Sequence, residues 1–159
     1  LMENSNDYDT WAEVMWTGTV AHNNSLDTGR IGDWASHDIE HELSGMFDIA
    51  HGAGLAIIIP AWMKYNLNHN VEKFAQLAER VFFVERDYNK PEKTALEGIF
   101  RLEQHFKRMG MAVRLSEVGI KEDSFEAMAD KASIGDTHML GNFVKLDKTD
   151  IIEIFRLAK

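Results

Sequence analysis

The sequence predicts an all-α protein, and three observations support this prediction. Apolar residues recur three or four positions apart in several segments, which is the spacing that gives a helix one buried face. Residues that favour the first turn of a helix, among them Asp7, Pro91 and Asp147, stand at the start of such segments. No two segments alternate apolar and polar residues in the way that paired, half-buried strands require.

Two helices are predicted in the first 50 residues. Residues 8–24 form the first, with Asp7 or Asp9 as its N-cap, because aromatic and aliphatic residues follow at helical spacing. The asparagines and polar residues of the segment 23–30 then interrupt the pattern. Asp33 can cap the second helix, which carries two histidines on one face.

The next two helices are predicted from their apolar residues. The second helix ends near Asp48, and residues 52–65 should form a buried helix because they are apolar on nearly every side. Pro60 cannot donate to the carbonyl four residues earlier, so we expect a kink there. Residues 71–84 should form an amphipathic helix whose apolar stripe contains Phe74, Leu77, Ala78, Val81 and Phe82.

Three more helices are predicted after residue 90. Pro91 occupies the first turn of one that ends at Gly110. Asp123 or Ser124 caps the next, and Asp147 caps the last, with a second aspartate three residues on. The first of these helices should direct inward the side chains of Leu96, Ile99, Phe100, Leu102 and Phe106.

Length and charge restrict what this protein can bind. A chain of 159 residues is about one domain long, so one helical unit with its own core is expected. The formal charge is −9 and no face concentrates lysine and arginine, which excludes nucleic acid and anionic membrane as partners. The absence of cysteine excludes thiolate metal sites. Without a signal peptide or an apolar run of about 20 residues, a cytoplasmic protein is expected.

Three histidines, His37, His41 and His51, lie within fifteen residues of one another. His37 and His41 are four residues apart on a predicted helix, so both rings stand on one face and can approach one ion. On an unbroken helix His51 would lie about 21 Å from His37 and could not share that ion. Joint binding therefore requires a break, and residues 48–52, with an aspartate and a glycine, are a plausible place for one.

A single histidine on a helix is more often a structural or solvated residue than a metal ligand. The cluster of three favours a ligand site nonetheless, because the small residues 52–54 follow it and allow a ligand to approach closely. His22 can point to the same pocket, although a histidine at a helix end is more often structural. The remaining histidines, which are expected to be solvated, are His69, His105 and His138.

Local patterns leave three alternatives open. Residues 37–41 match the H-x-x-E-H pattern of inverzincin peptidases, in which two histidines hold zinc and Glu40 would activate water. That hypothesis requires a downstream ligand such as Glu117. His37 and Asp38 also match the His-Asp dyad of HD-type phosphohydrolases, an all-helical class. The third alternative is a helical interaction module whose histidines have no chemical role.

A longer pattern covers residues 34–65 and includes all three clustered histidines. It contains Trp34, His37, His41, Asp48, His51, Gly52, Gly54, Pro60, Trp62 and Tyr65. This pattern closely resembles the histidine signature of the iron-containing (group III) alcohol dehydrogenases and is most similar to that of their butanol dehydrogenase branch. The resemblance extends to the preceding helix, residues 6–23, and to the closing helices, so it covers nearly the whole chain.

The resemblance implies a fold and a role for each histidine. The fold would be the C-terminal helical domain of the dehydroquinate synthase-like, iron-type alcohol dehydrogenases. His37 and His51 would be two of the four ligands of a divalent metal. His41 would face the substrate and the nicotinamide without binding the metal, which makes it the catalytic and cofactor-binding candidate. This replaces the local pairing of His37 with His41, and it makes Glu40 an ordinary helix residue.

The resemblance also implies what the rest of the enzyme supplies. Residues 1–159 would be the helical metal-binding domain of a longer protein, and a dinucleotide-binding domain and the helix with the other two ligands would precede Leu1. The expected reaction is hydride transfer between NADH or NADPH and a primary alcohol or aldehyde, with iron(II) or zinc as Lewis acid. The expected assembly is a homodimer, and this chain alone is expected to be inactive.

Overall fold

The fold, given by a computed structural model that describes residues 1–159, is all-α, as the sequence predicted. Pairing of the β type is confined to one isolated antiparallel bridge between Leu140 and Leu146. None of the helices has both the length and the apolar character that a membrane span requires. The seven α-helices are α1 (Tyr8–His22), α2 (Ala35–Phe47), α3 (His51–Tyr65), α4 (Val71–Phe82), α5 (Pro91–Arg108), α6 (Phe125–Ala132) and α7 (Lys148–Leu157).

The chain divides into two compact units, Leu1–Gly32 and Asp33–Lys159, where its length had favoured one. The first unit contains α1 and a short 3₁₀ turn. The second contains α2 to α7. The clustered histidines His37, His41 and His51 therefore all belong to the second unit.

Helix α1 begins at an aspartate cap. Asp7, and not Asp9, is the capping residue: its carboxylate accepts hydrogen bonds from the backbone N–H of Thr10 at 3.2 Å and from the Thr10 hydroxyl at 2.8 Å. The helix ends at His22, two residues before the predicted end at residue 24. None of its residues is buried.

Helix α3 is shared by the two hydrophobic cores of the second unit. The larger core joins it to α2, α6 and α7 through side chains that include Ile39, Leu43, Ile58, Phe125 and Phe155. The smaller core joins it to α4 and α5 through side chains that include Met63, Phe74, Ala95 and Ile99. Packing on several sides explains why this segment is apolar on nearly every face, and it confirms the prediction of a buried helix.

Helices α4 and α5 approach each other closely because small residues meet between them. A Cβ at Gly98 of α5 would come within 2.9 Å of the Cα of Ala78 in α4. Because α5 packs through its small residues, the prediction that Leu96 and Phe100 point inward is wrong: they are 47% and 52% exposed. Val81, assigned to the buried stripe of α4, is also exposed. The side chains that α5 buries are Thr94, Ala95, Gly98, Ile99 and Glu103.

Several helix ends follow the predicted capping chemistry. Pro91 stands in the first turn of α5, and Asp147 caps α7 in a reciprocal capping box with Asp150. Ser124 precedes α6, but its side chain makes no capping bond to that helix. The hydroxyl of Tyr65, the last residue of α3, donates to the Asp150 carboxylate, which joins the end of α3 to the start of α7.

Candidate metal centre

The predicted helix break lies between Phe47, the last residue of α2, and His51, the first residue of α3. Asp48 adopts the left-handed conformation, with φ 55° and ψ 37°, and its N–H donates to the carbonyl of Ser44 at 3.1 Å. Aspartate tolerates this conformation better than most residues, so it can end the helix. Ala50, with φ −58° and ψ 131°, then leads directly into α3.

The break brings three histidines together. The ring centroid of His51 lies 5.4 Å from that of His37 and 5.3 Å from that of His41. An unbroken helix would have separated His37 and His51 by about 21 Å. The structure therefore gathers all three residues that the sequence singled out, while their roles as ligands or substrate contacts stay predictions.

His37 is the most enclosed of the three rings. Its Nδ1 is buried and has no hydrogen-bond partner, and the ring of Trp34 packs edge-on against it with the centroids 4.8 Å apart. Burial, reinforced by the neighbouring His51 and His41, lowers the pKa of His37 below its ordinary value. The lowered pKa favours the neutral ring, and a neutral imidazole has the nitrogen lone pair that a metal ligand needs.

Glu40 is completely buried and lies against this cluster. Its Oε2 is bonded to Nδ1 of His51, and its Oε1 lies 2.6 Å from the hydroxyl of Ser44. The same hydroxyl lies 2.9 Å from the carbonyl oxygen of Ile49, which is in the helix break. The expectation that Glu40 is an ordinary helix residue therefore does not hold, because a buried carboxylate bonded to a clustered histidine belongs to the site.

Only weak signals in the sequence could have identified Glu40. Ser44 follows it by one helical turn, and Gly54 follows His51 by three residues. A Cβ at position 54 would come within 2.7 Å of Cγ and Cδ of Glu40, so the glycine leaves the space that the carboxylate occupies. The contact joins two different helices, and residue spacing along one helix cannot reveal it.

The donor atoms of the cluster are of the kind that bind divalent cations. Glu40, His41 and His51 each offer a nitrogen or a carboxylate oxygen that lies within 4.8 Å of the others. His37 is outside this group, although its ring is as near to His51 as the ring of His41 is. His37 is nevertheless a better candidate ligand than Glu40, because both Glu40 oxygens are already bonded inside the protein. Nitrogen and oxygen donors without sulfur suit iron(II) or zinc.

The geometry does not support the hydrolase hypotheses. A peptidase base must reach a water molecule, but Glu40 is completely buried. The further ligand of that hypothesis, Glu117, instead accepts hydrogen bonds from the backbone N–H groups of Val113 at 2.7 Å and Arg114 at 3.1 Å. Asp38, the second member of the phosphohydrolase dyad, is not among the clustered donors.

Four further histidines belong to other parts of the chain. His69, His105 and His138 are exposed, as predicted. The ring of His69 packs against Phe143 with the centroids 4.9 Å apart. His22 is the last residue of α1, in the first unit.

The fold and the histidine cluster define a class of protein: an all-α domain whose helices bring nitrogen and oxygen donor atoms together. The whole chain, residues 1–159, matches the family model described as "Fe-containing alcohol dehydrogenase family, C-terminal". The chain belongs to this family, as the histidine signature had indicated.

Curated relatives and a solved structure agree with this membership. The chain is 38% identical over 158 residues to the probable NADH-dependent butanol dehydrogenase 1 of Bacillus subtilis (strain 168), with 99% of this chain and 40% of that protein covered. It is 36% identical over 156 residues to NADH-dependent butanol dehydrogenase A of Clostridium acetobutylicum, with 98% and 40% covered. The crystal structure of NADH-dependent butanol dehydrogenase A from Thermotoga maritima superposes with a TM-score of 0.92 at 37% identity, over 99% of this chain and 41% of that one. The chain thus spans about two fifths of the length of the relatives it matches.

Proposed function

We propose that this chain is the helical, metal-binding part of a nicotinamide-dependent alcohol dehydrogenase that interconverts small primary alcohols and aldehydes. The observation that carries the proposal is the convergence of His37, His41 and His51 across a helix break, with ring centroids 5.3 and 5.4 Å apart. The similarity of the whole chain to butanol dehydrogenases supports the substrate class and the nicotinamide. The rates with NADH and with NADPH distinguish the two possible hydride donors.

In this proposal His37 and His51 hold the metal, iron(II) or zinc. Their rings are close enough for one ion to lie about 2 Å from a nitrogen of each. When bound, the metal supplies Lewis-acid polarisation of the alcohol or aldehyde oxygen. Trp34 packs edge-on against the ring of His37, with the centroids 4.8 Å apart.

His41 is proposed to contact the substrate and the nicotinamide. It stands one turn beyond His37 on α2, next to His51, and its side chain is exposed. An exposed imidazole in that position can hydrogen-bond a substrate and move a proton at a ring nitrogen. Its exposure also distinguishes it from the more enclosed His37.

The proposal assigns the remaining parts of the site to residues outside this chain. Two imidazoles provide half of a four-ligand shell, so further ligands are needed to close it. A domain that binds the dinucleotide is also needed to orient the hydride donor. This chain covers 40% and 41% of the length of two curated relatives. Those proteins are therefore long enough to contain the further ligands and the dinucleotide-binding domain as well. We also propose that the complete enzyme is a cytoplasmic homodimer.

The test uses the complete enzyme that carries this chain. Oxidation of NADH and of NADPH is followed with butyraldehyde as substrate, and bound metal is measured by elemental analysis. His37→Ala and His51→Ala are each expected to lose metal and at least about 100-fold of the rate, since loss of even a partner of a ligand costs about 10- to 100-fold. His138→Ala, which alters an exposed histidine, is the matched control.

Three results would contradict the proposal. One is a wild-type enzyme that binds no divalent metal. Another is full activity and full metal content in His37→Ala or His51→Ala. The third is a metal-loaded wild type that oxidises neither nicotinamide with any short aldehyde, which would reject the substrate class.

A further inference from the structure

The Glu40 carboxylate lies in a setting where a negative charge is costly. Its exposure is 0%, and the only basic group within ion-pair distance is the ring of His51. A buried carboxylate without partners is strongly unfavourable, so the few bonds that Glu40 makes determine where it can lie. These bonds go to Nδ1 of His51 and to the hydroxyl of Ser44.

Residues of both helices hold this carboxylate in one position. The Ser44 hydroxyl of α2 lies 2.6 Å from Glu40 and 2.9 Å from the Ile49 carbonyl, and its single proton can be donated to either oxygen. On the other side, the backbone of Gly54 in α3 lies so close that any side chain there would overlap the carboxylate. The space for Glu40 is thus formed by a residue with no Cβ, one turn along the helix that His51 begins.

We infer that Glu40 is a positioning residue that orients His51 toward the metal, an inference that rests on the proposed function. A neutral imidazole has one N–H and one lone pair. A hydrogen bond from Nδ1–H to Glu40 leaves the lone pair on Nε2, which is then the nitrogen available to an ion. It also fixes the rotation of a ring whose side chain is 45% exposed and would otherwise be free to turn.

Two other roles for Glu40 fit the structure less well. A direct ligand or a general base needs an accessible oxygen, but the side chain is completely buried and each oxygen has a protein partner. A purely structural role is met as well or better by an apolar residue of similar size, because burying a charge offsets much of what its ion pair contributes. The positioning role explains why a carboxylate occupies this place and why glycine faces it.

The test measures the metal affinity of the complete enzyme. Metal-free protein is titrated with zinc in competition with a chromophoric chelator. Glu40→Gln is expected to bind zinc about 10- to 100-fold more weakly than wild type, the effect typical of losing the partner of a metal-bound histidine. Glu42→Gln is the matched control, because it removes a partly buried carboxylate from the same helix that has no bond to His51. Its affinity should equal that of wild type.

Thermal unfolding distinguishes a positioning role of Glu40 from a purely structural role. The midpoint is measured for each protein without metal and at one limiting zinc concentration. A positioning role predicts that Glu40→Gln reduces the increase in midpoint at a limiting zinc concentration. A merely structural role would lower both midpoints equally and leave the increase unchanged, which would overturn the inference.

Gly54→Ala is the second variant, and it decides the question if Glu40→Gln does not fold. Its methyl group would displace the carboxylate without changing any charge, so zinc affinity should fall although alanine favours the helix. If wild type binds zinc and His37→Ala abolishes binding, but Glu40→Gln and Gly54→Ala bind as wild type, only the role of Glu40 is rejected. If wild type binds no metal, the proposed function fails and this inference fails with it.

Discussion

The hydroxyl of Tyr65 and the carboxylate of Asp150 lie 2.5 Å apart, although 85 residues separate them along the chain. Tyr65 ends α3 and Asp150 is in the first turn of α7, so this bond joins the helix that begins at His51 to the last helix. Tyr65→Phe removes the bond and keeps the ring. We expect the free energy of unfolding to fall by about 1–2 kcal/mol at pH 7, as for a partly exposed bond to a charged group. Denaturant titration measures this, with the exposed Tyr88→Phe as control.

The same tyrosine should make the protein sensitive to alkaline pH. Burial, followed by the hydrogen bond to Asp150, raises the pKa of Tyr65 to about 12, above its ordinary value of about 10. A raised pKa contributes stability that is complete below pH 10 and is lost as the pH rises toward 12, because only the unfolded chain loses its proton in that range. Tyr65→Phe should lose less stability than wild type between about pH 10 and 12. Equal losses in the two proteins would contradict this assignment.

Glu103 should make the protein sensitive to acid. Its carboxylate is buried between Lys64 of α3 and Arg114, with nitrogen–oxygen distances of 2.6 and 2.9 Å. Burial raises the pKa of Glu103, but the hydrogen bonds from Arg114 and Lys64 outweigh it, so the pKa lies below its ordinary value. The stability that this group contributes is therefore present above about pH 4.3 and is lost as the pH falls through the folded-state pKa.

Glu103→Gln should lower the free energy of unfolding by about 1–3 kcal/mol at neutral pH, because two partly buried cations lose their partner. The difference from wild type should shrink as the pH falls below about 4. Glu97→Gln is the control, since it breaks an exposed pair with Arg101 on the same helix and should cost less than about 0.5 kcal/mol. If both substitutions lower the free energy of unfolding equally, the burial of Glu103 does not strengthen its ion pairs.

The close approach of α4 and α5 predicts opposite effects for two glycine substitutions. Gly98→Ala places a methyl group against Ala78, and a displacement of the helices should cost about 1–3 kcal/mol. Gly45→Ala in α2 meets nothing within 4 Å and should stabilise the protein by up to about 1 kcal/mol through helix propensity. The midpoints of chemical unfolding compare the two. Stabilisation by Gly98→Ala would mean that the helices are not packed as described.

Asp48, the residue with left-handed backbone angles at the helix break, allows a test of how the break positions the site. Asp48→Val should lower the free energy of unfolding by about 1–2 kcal/mol, because a β-branched residue is strained at φ 55°. Asp48→Gly relieves that strain and should be close to wild type in stability. In the complete enzyme, Asp48→Val should also weaken zinc binding, since it disturbs the turn that brings His51 back to His37. If Asp48→Val lowers the stability but binds zinc as tightly as wild type, the conformation of the break does not determine the zinc affinity of the site.

The sequence predicted those parts of the fold that depend on neighbours along the chain. The capping box of Asp147, the first-turn proline Pro91 and the end of α2 at Asp48 are local arrangements of a few residues, and the structure has all three. The gathering of His37 and His51 was predicted because the family resemblance makes both of them metal ligands, and the length of an unbroken helix then requires a break between them.

The parts that the sequence did not predict depend on contacts between helices. Apolar spacing identified α5 as amphipathic, but it could not tell that Ala95 and Gly98 would face α4 while Leu96 and Phe100 would remain exposed. Glu40 was missed for the same reason, because its burial is created by residues on α3. A charged residue on a helix is usually solvated, and only the tertiary structure shows this exception.

Helix α3 contributes side chains to both hydrophobic cores. When one core opens locally, the opposite side of α3 therefore stays covered by the other core. If the α4–α5 pair separated from α3, the side of α3 that faces α2 and α7 would stay covered. Backbone amides in the middle of α3 should therefore exchange with deuterium only when the whole second unit unfolds, and more slowly than those of α4. The helix that begins with His51 would then be the most persistent element of the second unit, and it would keep the end of the break fixed during a local opening of either core.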